Sequence, residues 1–360
     1  MGKGMGRLAG EKITGVLLVG IAVLAWAILP IGLKSLTITL ADEQIVFARF
    51  FVAVVVLAPF AFGSRRNREA HLDAVRLHWK ALLALAIVGI VLPQLLFTWA
   101  VRNLPIGIAS FLAFSHPVFS ILLAAALLRE RKLGPWGLLV TSVLLVAGLV
   151  LLSLKDPRIW RLEALQGWLS GPFLIGLGVP LLWGLSSVLA KVLLKRQVAP
   201  PMVLAWWRIA AGTAFVGVVV AARGGMNTSF ITNLSLDSAL WLAVLGVLSV
   251  AVGISAYFAG LERVTLTTAS ALEACVAPLG AILAMVFLPE ERLLAHQWVG
   301  GGVVFLAALV PAVASWLKGN GSQADRKVRI DTTVSDGPQV LHDEDGSSIS
   351  MLDQTTIKNR

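Results

Sequence analysis

Glu273 lies about nine residues into an apolar run of the chain, close to 13 Å deep at a helical rise of 1.5 Å per residue. Charge near the centre of a bilayer is costly, so such a carboxylate is read first as functional. It suits two tasks, proton coupling or the binding of a substrate amino group; the structural alternative is a neutral acid bonded to a neighbouring Ser or Thr. His116, beside Pro117, has an imidazole that titrates near physiological pH and so could shuttle protons. It could equally donate to the backbone carbonyl that the proline frees. Arg49 and Arg208 each lie roughly 7–10 Å inside an apolar run. Their guanidinium groups either snorkel to an interface or pair with the acids Glu291 and Glu130. In the second case Arg49–Glu291 on one face and Arg208–Glu130 on the other would act as alternating gates. Lys34 and Lys191 fall at helix ends, where the dipole and the aqueous interface favour a cation. Among the aromatic and amide side chains, Trp26, Trp99, Trp183, Phe114, Tyr257 and Gln94 are candidates to line a pocket that stacks a flat or apolar substrate.

These residues need a membrane scaffold to hold them. The chain is 57% hydrophobic and only 14% charged, far from soluble usage. Apolar runs of helix-spanning length recur ten times, near 13–33, 44–63, 81–101, 105–128, 134–154, 169–190, 201–222, 238–260, 264–288 and 295–316. The reading is an all-α polytopic membrane protein with ten transmembrane helices. Residues 1–12 form an N-terminal segment. The first span is too long for a signal peptide's apolar region, and more spans follow it, so it is read as a true helix. Residues 63–80 and 155–168 are the longer links, and 317–360 form a polar tail expected to be disordered. Lys and Arg crowd one side: Lys3, Arg7, Lys12, the cluster Arg65, Arg66, Arg68, Arg76 and Lys80, then Arg129, Arg131 and Lys132. That roughly twofold excess puts both termini in the cytoplasm. The formal charge of +10 is thereby a topology signal, and no nucleic acid is expected. Cys275 is the lone cysteine, which permits no internal disulfide.

The spans are duplicated. PIGIASFLAFSHPVFSILLAAALLRERK, from Pro105 to Lys132, returns as LTTASALEACVAPLGAILAMVFLPEERL, from Leu266 to Leu293. Each copy carries one deep proline, Pro117 or Pro278, and a Glu-Arg pair beginning thirteen residues later. Trp26 precedes Lys34, and Trp183 precedes Lys191, by the same eight residues. Residues 13–154 and 169–316 are therefore two repeats of five spans. Five is odd, so the second enters the membrane from the opposite side, giving an inverted repeat of the kind tied to alternating access. Pro30, Pro93, Pro117, Pro180 and Pro278 predict kinks. Gly246, Ser249, Gly253, Ala256 and Gly260 form a smooth stripe on the eighth span, suited to close packing.

The Trp-then-Lys first helix, the early Arg of the second helix and the closing PVFSILLAAALLRERK and PLGAILAMVFLPEERL resemble the EamA-domain drug/metabolite transporters over residues 11–317. The resemblance implies a bacterial inner-membrane exporter or facilitator of small metabolites such as amino acids, with a cavity built by helices 1, 3, 4, 6, 8 and 9. It leaves the substrate open. Glu273 departs from repeat symmetry, since its counterpart is Leu112. Gly137 falls two residues short of the glycine expected in the fifth helix. The partners expected are a small-molecule substrate, the lipid bilayer and, as an option, protons, with the chain a monomer or homodimer. No Walker lysine motif and no His-Glu-x-x-His occurs, so no cofactor, metal or catalytic residue is expected. A non-transporting scaffold or sensor is the alternative from another class. A phosphorylated-metabolite or nucleotide-sugar exchanger is the alternative within transport; it would want basic residues at the midplane, and the sequence reveals none.

Overall fold

A computed structural model describes residues 2–127, 134–154, 171–225, 234–288, 290, 292–311 and 313. Among these residues all regular structure is helical. Nine helices are long and apolar enough to cross a membrane: α1 (Gly10–Thr37), α2 (Asp42–Phe62), α3 (Arg65–Asn103), α4 (Ile106–Leu127), α5 (Trp136–Ser153), α6 (Gly171–Lys195), α7 (Pro201–Ala222), α8 (Leu236–Arg263) and α9 (Leu266–Phe287). A tenth apolar helix, α10 (Ala295–Pro311), is shorter within the described residues. The chain is an all-α, multi-pass membrane protein.

The packing repeats with the sequence. Helix α1 packs on α8 as α6 packs on α3, and α2 packs on α8 as α7 packs on α3. Helix α1 also meets α9 as α6 meets α4, while α2 meets α7 and α4 meets α9, each helix against its counterpart in the other repeat. The stripe on α8 faces two helices. A Cβ on Gly260 would lie 2.7 Å from Val19 and one on Gly253 2.6 Å from the Trp26 indole, both on α1, while Gly246 abuts the Arg49 carbonyl on α2. Small residues allow this approach where lipid supplies no hydrophobic drive for helix association.

Local irregularities occur in matching places. Helix α1 is interrupted at Ile28 and α6 at Leu177, each just before a proline. Helix α4 breaks after Ala113 and α9 after Glu273, ahead of Pro117 and Pro278. In α3 and α8 the helical ladder loosens into π-helical segments, Ile87–Val91 and Leu245–Val252. Proline has no amide hydrogen, so the carbonyl four residues earlier loses its helical donor. For Pro93 that carbonyl is on Gly89, and for Pro117 on Ala113.

One link departs from the sequence reading. Residues 65–80, expected as part of a loop, are helical and form the first part of α3, with a kink of non-helical backbone at His78 (φ −133°, ψ 19°). Ser64 caps the start by accepting from the Asn67 amide, and Arg65 pairs with Glu69 one turn on. His71 and Ala74 bury against the bundle, with the His71 ring stacked on Phe62 at 4.0 Å. The stretch is too polar to cross a bilayer, but one buried face and a cap suffice for a helix. The second link, 155–168, and the tail from 317 lie outside the described residues.

Lys34 and Lys191 close helix ends. Lys34 donates to the Val101 carbonyl at the end of α3, and Lys191 to Leu261 and Val264 at the end of α8, 2.5 and 2.7 Å away. Cations there satisfy the last carbonyls of a helix and its negative pole.

Candidate functional site

The loosened carbonyls and broken helices converge on one cavity between the repeats. Glu273, the last residue before the break in α9, is 1% exposed and sits in its wall. Its Oε1 lies 3.1 Å from His116 Nε2 on α4, and its Oε2 accepts from the Tyr257 hydroxyl on α8 at 3.4 Å. His116 Nδ1 in turn meets the Ala113 carbonyl, freed by Pro117, at 3.3 Å. His116 thus meets the proline-freed carbonyl with one ring nitrogen and faces an acid with the other.

The arginines are where the sequence argument departs most from the structure. Arg49 is fully buried and Arg208 is 8% exposed; both line the same cavity as Glu273 and neither snorkels to an interface. Arg49 Nη2 donates to the Gln94 side-chain oxygen, and the guanidinium rests 4.9 Å from the Phe50 ring. Arg208 Nη2 donates to the Gly89 carbonyl, freed by Pro93, at 3.0 Å and lies over Phe258 at 5.6 Å. A residue's depth in sequence does not show the direction its long side chain takes, and here both turn inward. Their proposed acid partners, Glu291 and Glu130, lie outside the described residues. Arg49 Nε and Nη1 and Arg208 Nε, all buried, find no hydrogen-bond partner among the described residues. Helices α2 and α7 therefore join the six helices expected to build the cavity.

Aromatic rings form two walls. Trp26 packs on Tyr257 with centroids 5.4 Å apart, and its indole donates to the Ser249 carbonyl, in the π-helical segment of α8, at 2.8 Å. Trp183, its repeat counterpart, sits 5.7 Å from Phe114 and 5.5 Å from His116. Of the side chains singled out in the sequence, Trp26, Gln94, Phe114, His116, Trp183, Tyr257 and Glu273 line the cavity. Trp99 does not; it is half-buried on another face of α3. Sequence reasoning passed over Phe50, Ser187, Ser249 and Ile254, which also line it. Ser249 belonged to the smooth stripe of α8, which was the available signal. The others are ordinary residues of apolar helices and carried none.

A membrane bundle of two repeats that encloses a charged, aromatic-walled cavity at their junction defines a transporter fold. The EamA-like transporter family matches residues 13–154 and 170–312, and the chain belongs to that family. It is 26% identical over 245 residues to a protein of Streptantibioticus cattleyicolor named "Probable terminal-alkyne amino-acid exporter", covering 68% of this chain and 75% of that protein. It is also 26% identical over 187 residues to the "Uncharacterized inner membrane transporter YhbE" of Escherichia coli, covering 52% of this chain and 56% of the relative. A solved crystal structure superposes with a TM-score of 0.58 at 18% identity, covering 84% of this chain and 97% of the other, a likeness of fold.

Proposed function

We propose that the protein is a secondary transporter that moves small zwitterionic metabolites, amino acids foremost, across the inner membrane by alternating access. The observation that carries this reading is the division of charge in the cavity: one buried carboxyl group on α9 and two buried guanidinium groups on α2 and α7, between aromatic walls. A zwitterion answers that division. Its carboxylate suits the unpartnered N–H groups of Arg49 and Arg208, which would form charge-assisted hydrogen bonds. Its ammonium suits Glu273, and its side chain suits the Trp26–Tyr257 and Trp183–Phe114 walls. The relative named "Probable terminal-alkyne amino-acid exporter" supports the same class. Alternating access would use the breaks at Ile28, Leu177, Ala113 and Glu273, with both termini on the cytoplasmic side.

The two inward arginines also favour a second reading, a phosphorylated metabolite or nucleotide sugar, since guanidinium groups bind phosphate well. Counterflow in proteoliposomes separates the two. Vesicles preloaded with unlabelled amino acids and unlabelled sugar phosphates should accumulate labelled amino acids but not labelled sugar phosphates. Accumulation of sugar phosphates alone would transfer the assignment to the second reading. No accumulation of either by folded protein would leave the scaffold as the standing alternative.

A further inference from the structure

The hydrogen-bond geometry of His116 constrains where its protons can be. Pro117 leaves the Ala113 carbonyl without a helical donor, and His116 Nδ1 meets that oxygen at 3.3 Å. A carbonyl only accepts, so a hydrogen bond there requires the hydrogen on Nδ1. The other ring nitrogen, Nε2, lies 3.1 Å from Glu273 Oε1. A neutral imidazole protonated on Nδ1 has only a lone pair at Nε2, and an ionised carboxylate has only lone pairs. Two acceptors would then face each other inside a site where His116 and Glu273 are 4% and 1% exposed. The contact closes only with one further proton, as imidazolium against carboxylate or as imidazole against carboxylic acid. Tyr257 donates to Oε2 at 3.4 Å in either form.

We propose that in the empty cavity His116 and Glu273 together hold this one proton, and that the ammonium group of the substrate displaces it. The proposal rests on the amino-acid reading above and adds to it the coupling ion and the site of exchange. The charged and titratable groups facing the pair are Tyr257 on α8 and, from α7 and α2, Arg208 and Arg49; among the described residues the cavity wall contains no second acid. Binding of a zwitterion brings its ammonium to Glu273. The shared proton leaves to the open aqueous side, His116 stays neutral with Nδ1–H on Ala113, and Glu273 remains an ionised carboxylate. No covalent bond changes. Because proton and ammonium cannot occupy Glu273 together, each passage of substrate in one direction returns a proton in the other. Acid must then weaken binding, with the apparent Kd rising about tenfold per pH unit once the pair is protonated.

Calorimetry on the full chain in detergent tests this. Each of the twenty amino acids, and the N-acetyl derivative of any that binds, is titrated in two buffers of different ionisation enthalpy. The wild type should release one proton per bound amino acid at a pH where the pair is protonated, and none for the N-acetyl compound, which lacks the ammonium. Glu273→Gln should release none while still binding the N-acetyl compound, which shows that the cavity is intact. His116→Gln should move the pH range in which release occurs. Amino acid binding and counterflow without proton release would overturn the shared proton and leave the transport reading standing. Proton release on binding without counterflow would sustain the exchange site and sink the transport reading. Failure of folded wild type to bind any of the twenty would overturn both.

Discussion

The two repeats build matching frames and then furnish them differently. Lys34 and Lys191 close the ends of α3 and α8, the π-helical segments fall in those same two helices, and Arg49 and Arg208 reach inward from α2 and α7. Frame residues are thus nearly interchangeable between halves. The pair at the centre is not. Glu273 has Leu112 as its counterpart, and His116 has Ala277, so one half supplies the acid and the other the imidazole. Symmetry serves the rearrangement, which must present the cavity to both sides. Asymmetry serves the ligand, which has unlike ends.

Making the halves alike at their centre should have the largest effect. Glu273→Leu copies the first repeat into the second and removes one partner from two buried hydrogen bonds. Amino acid counterflow should fall by about 100-fold or more, as expected for a lost bond to a charged group. Leu112→Met, at the equivalent place, should keep most of the flux. Equal losses from both substitutions would show that α4 and α9 do equivalent work.

The next contrast concerns the glycines beneath the arginines. An added Cβ at Gly246 would meet the Arg49 carbonyl and the Val52 Cβ, both at 2.7 Å, where only backbone movement gives relief. Gly246→Ala should therefore cost about 1–3 kcal/mol, read as a lowered thermal unfolding midpoint. At Gly89 the Cβ would instead meet Arg208 Nε at 2.5 Å and Ser186 Oγ at 2.6 Å, side-chain atoms that can shift. Gly89→Ala should cost less stability but unseat Arg208, so flux should drop more than the unfolding midpoint. A larger stability loss at Gly89 than at Gly246 would reverse this assignment.

The smallest expected difference separates the two tryptophans. Trp26→Phe keeps a ring near Tyr257 but leaves the Ser249 carbonyl without its indole donor. It should lose about 1 kcal/mol more than Trp183→Phe, which removes no such bond among the described residues. Paired denaturation of the two variants measures that difference, and equal losses would remove the indole bond from the account.

Much of the frame was legible because it depends on composition and period. Duplicated prolines, the Trp–Lys spacing and the smooth stripe of α8 each have a local physical consequence. The basic segment at 65–80 was misread as a loop because its charge outweighed the capping Ser64 and the narrow buried face at His71 and Ala74. Arg49 and Arg208 were found by type, but their direction was not. A guanidinium on a long stem reaches an interface or a cavity with equal ease, and only the neighbouring helices decide between them. Trp99 shows the same limit from the other side, since its residue type fits a pocket wall and its helix face does not.

By itself, the sequence determined the spans, the duplication and the presence of one buried acid, because hydropathy and repeat spacing are properties of neighbours along the chain. The tertiary structure alone decided that His116 meets Glu273, residues 157 apart in sequence, and that Arg208 seats on the carbonyl freed by Pro93. Hydrogen bonds and electrostatics act over a few ångströms of space, and only packing the two repeats together brings these groups within that distance.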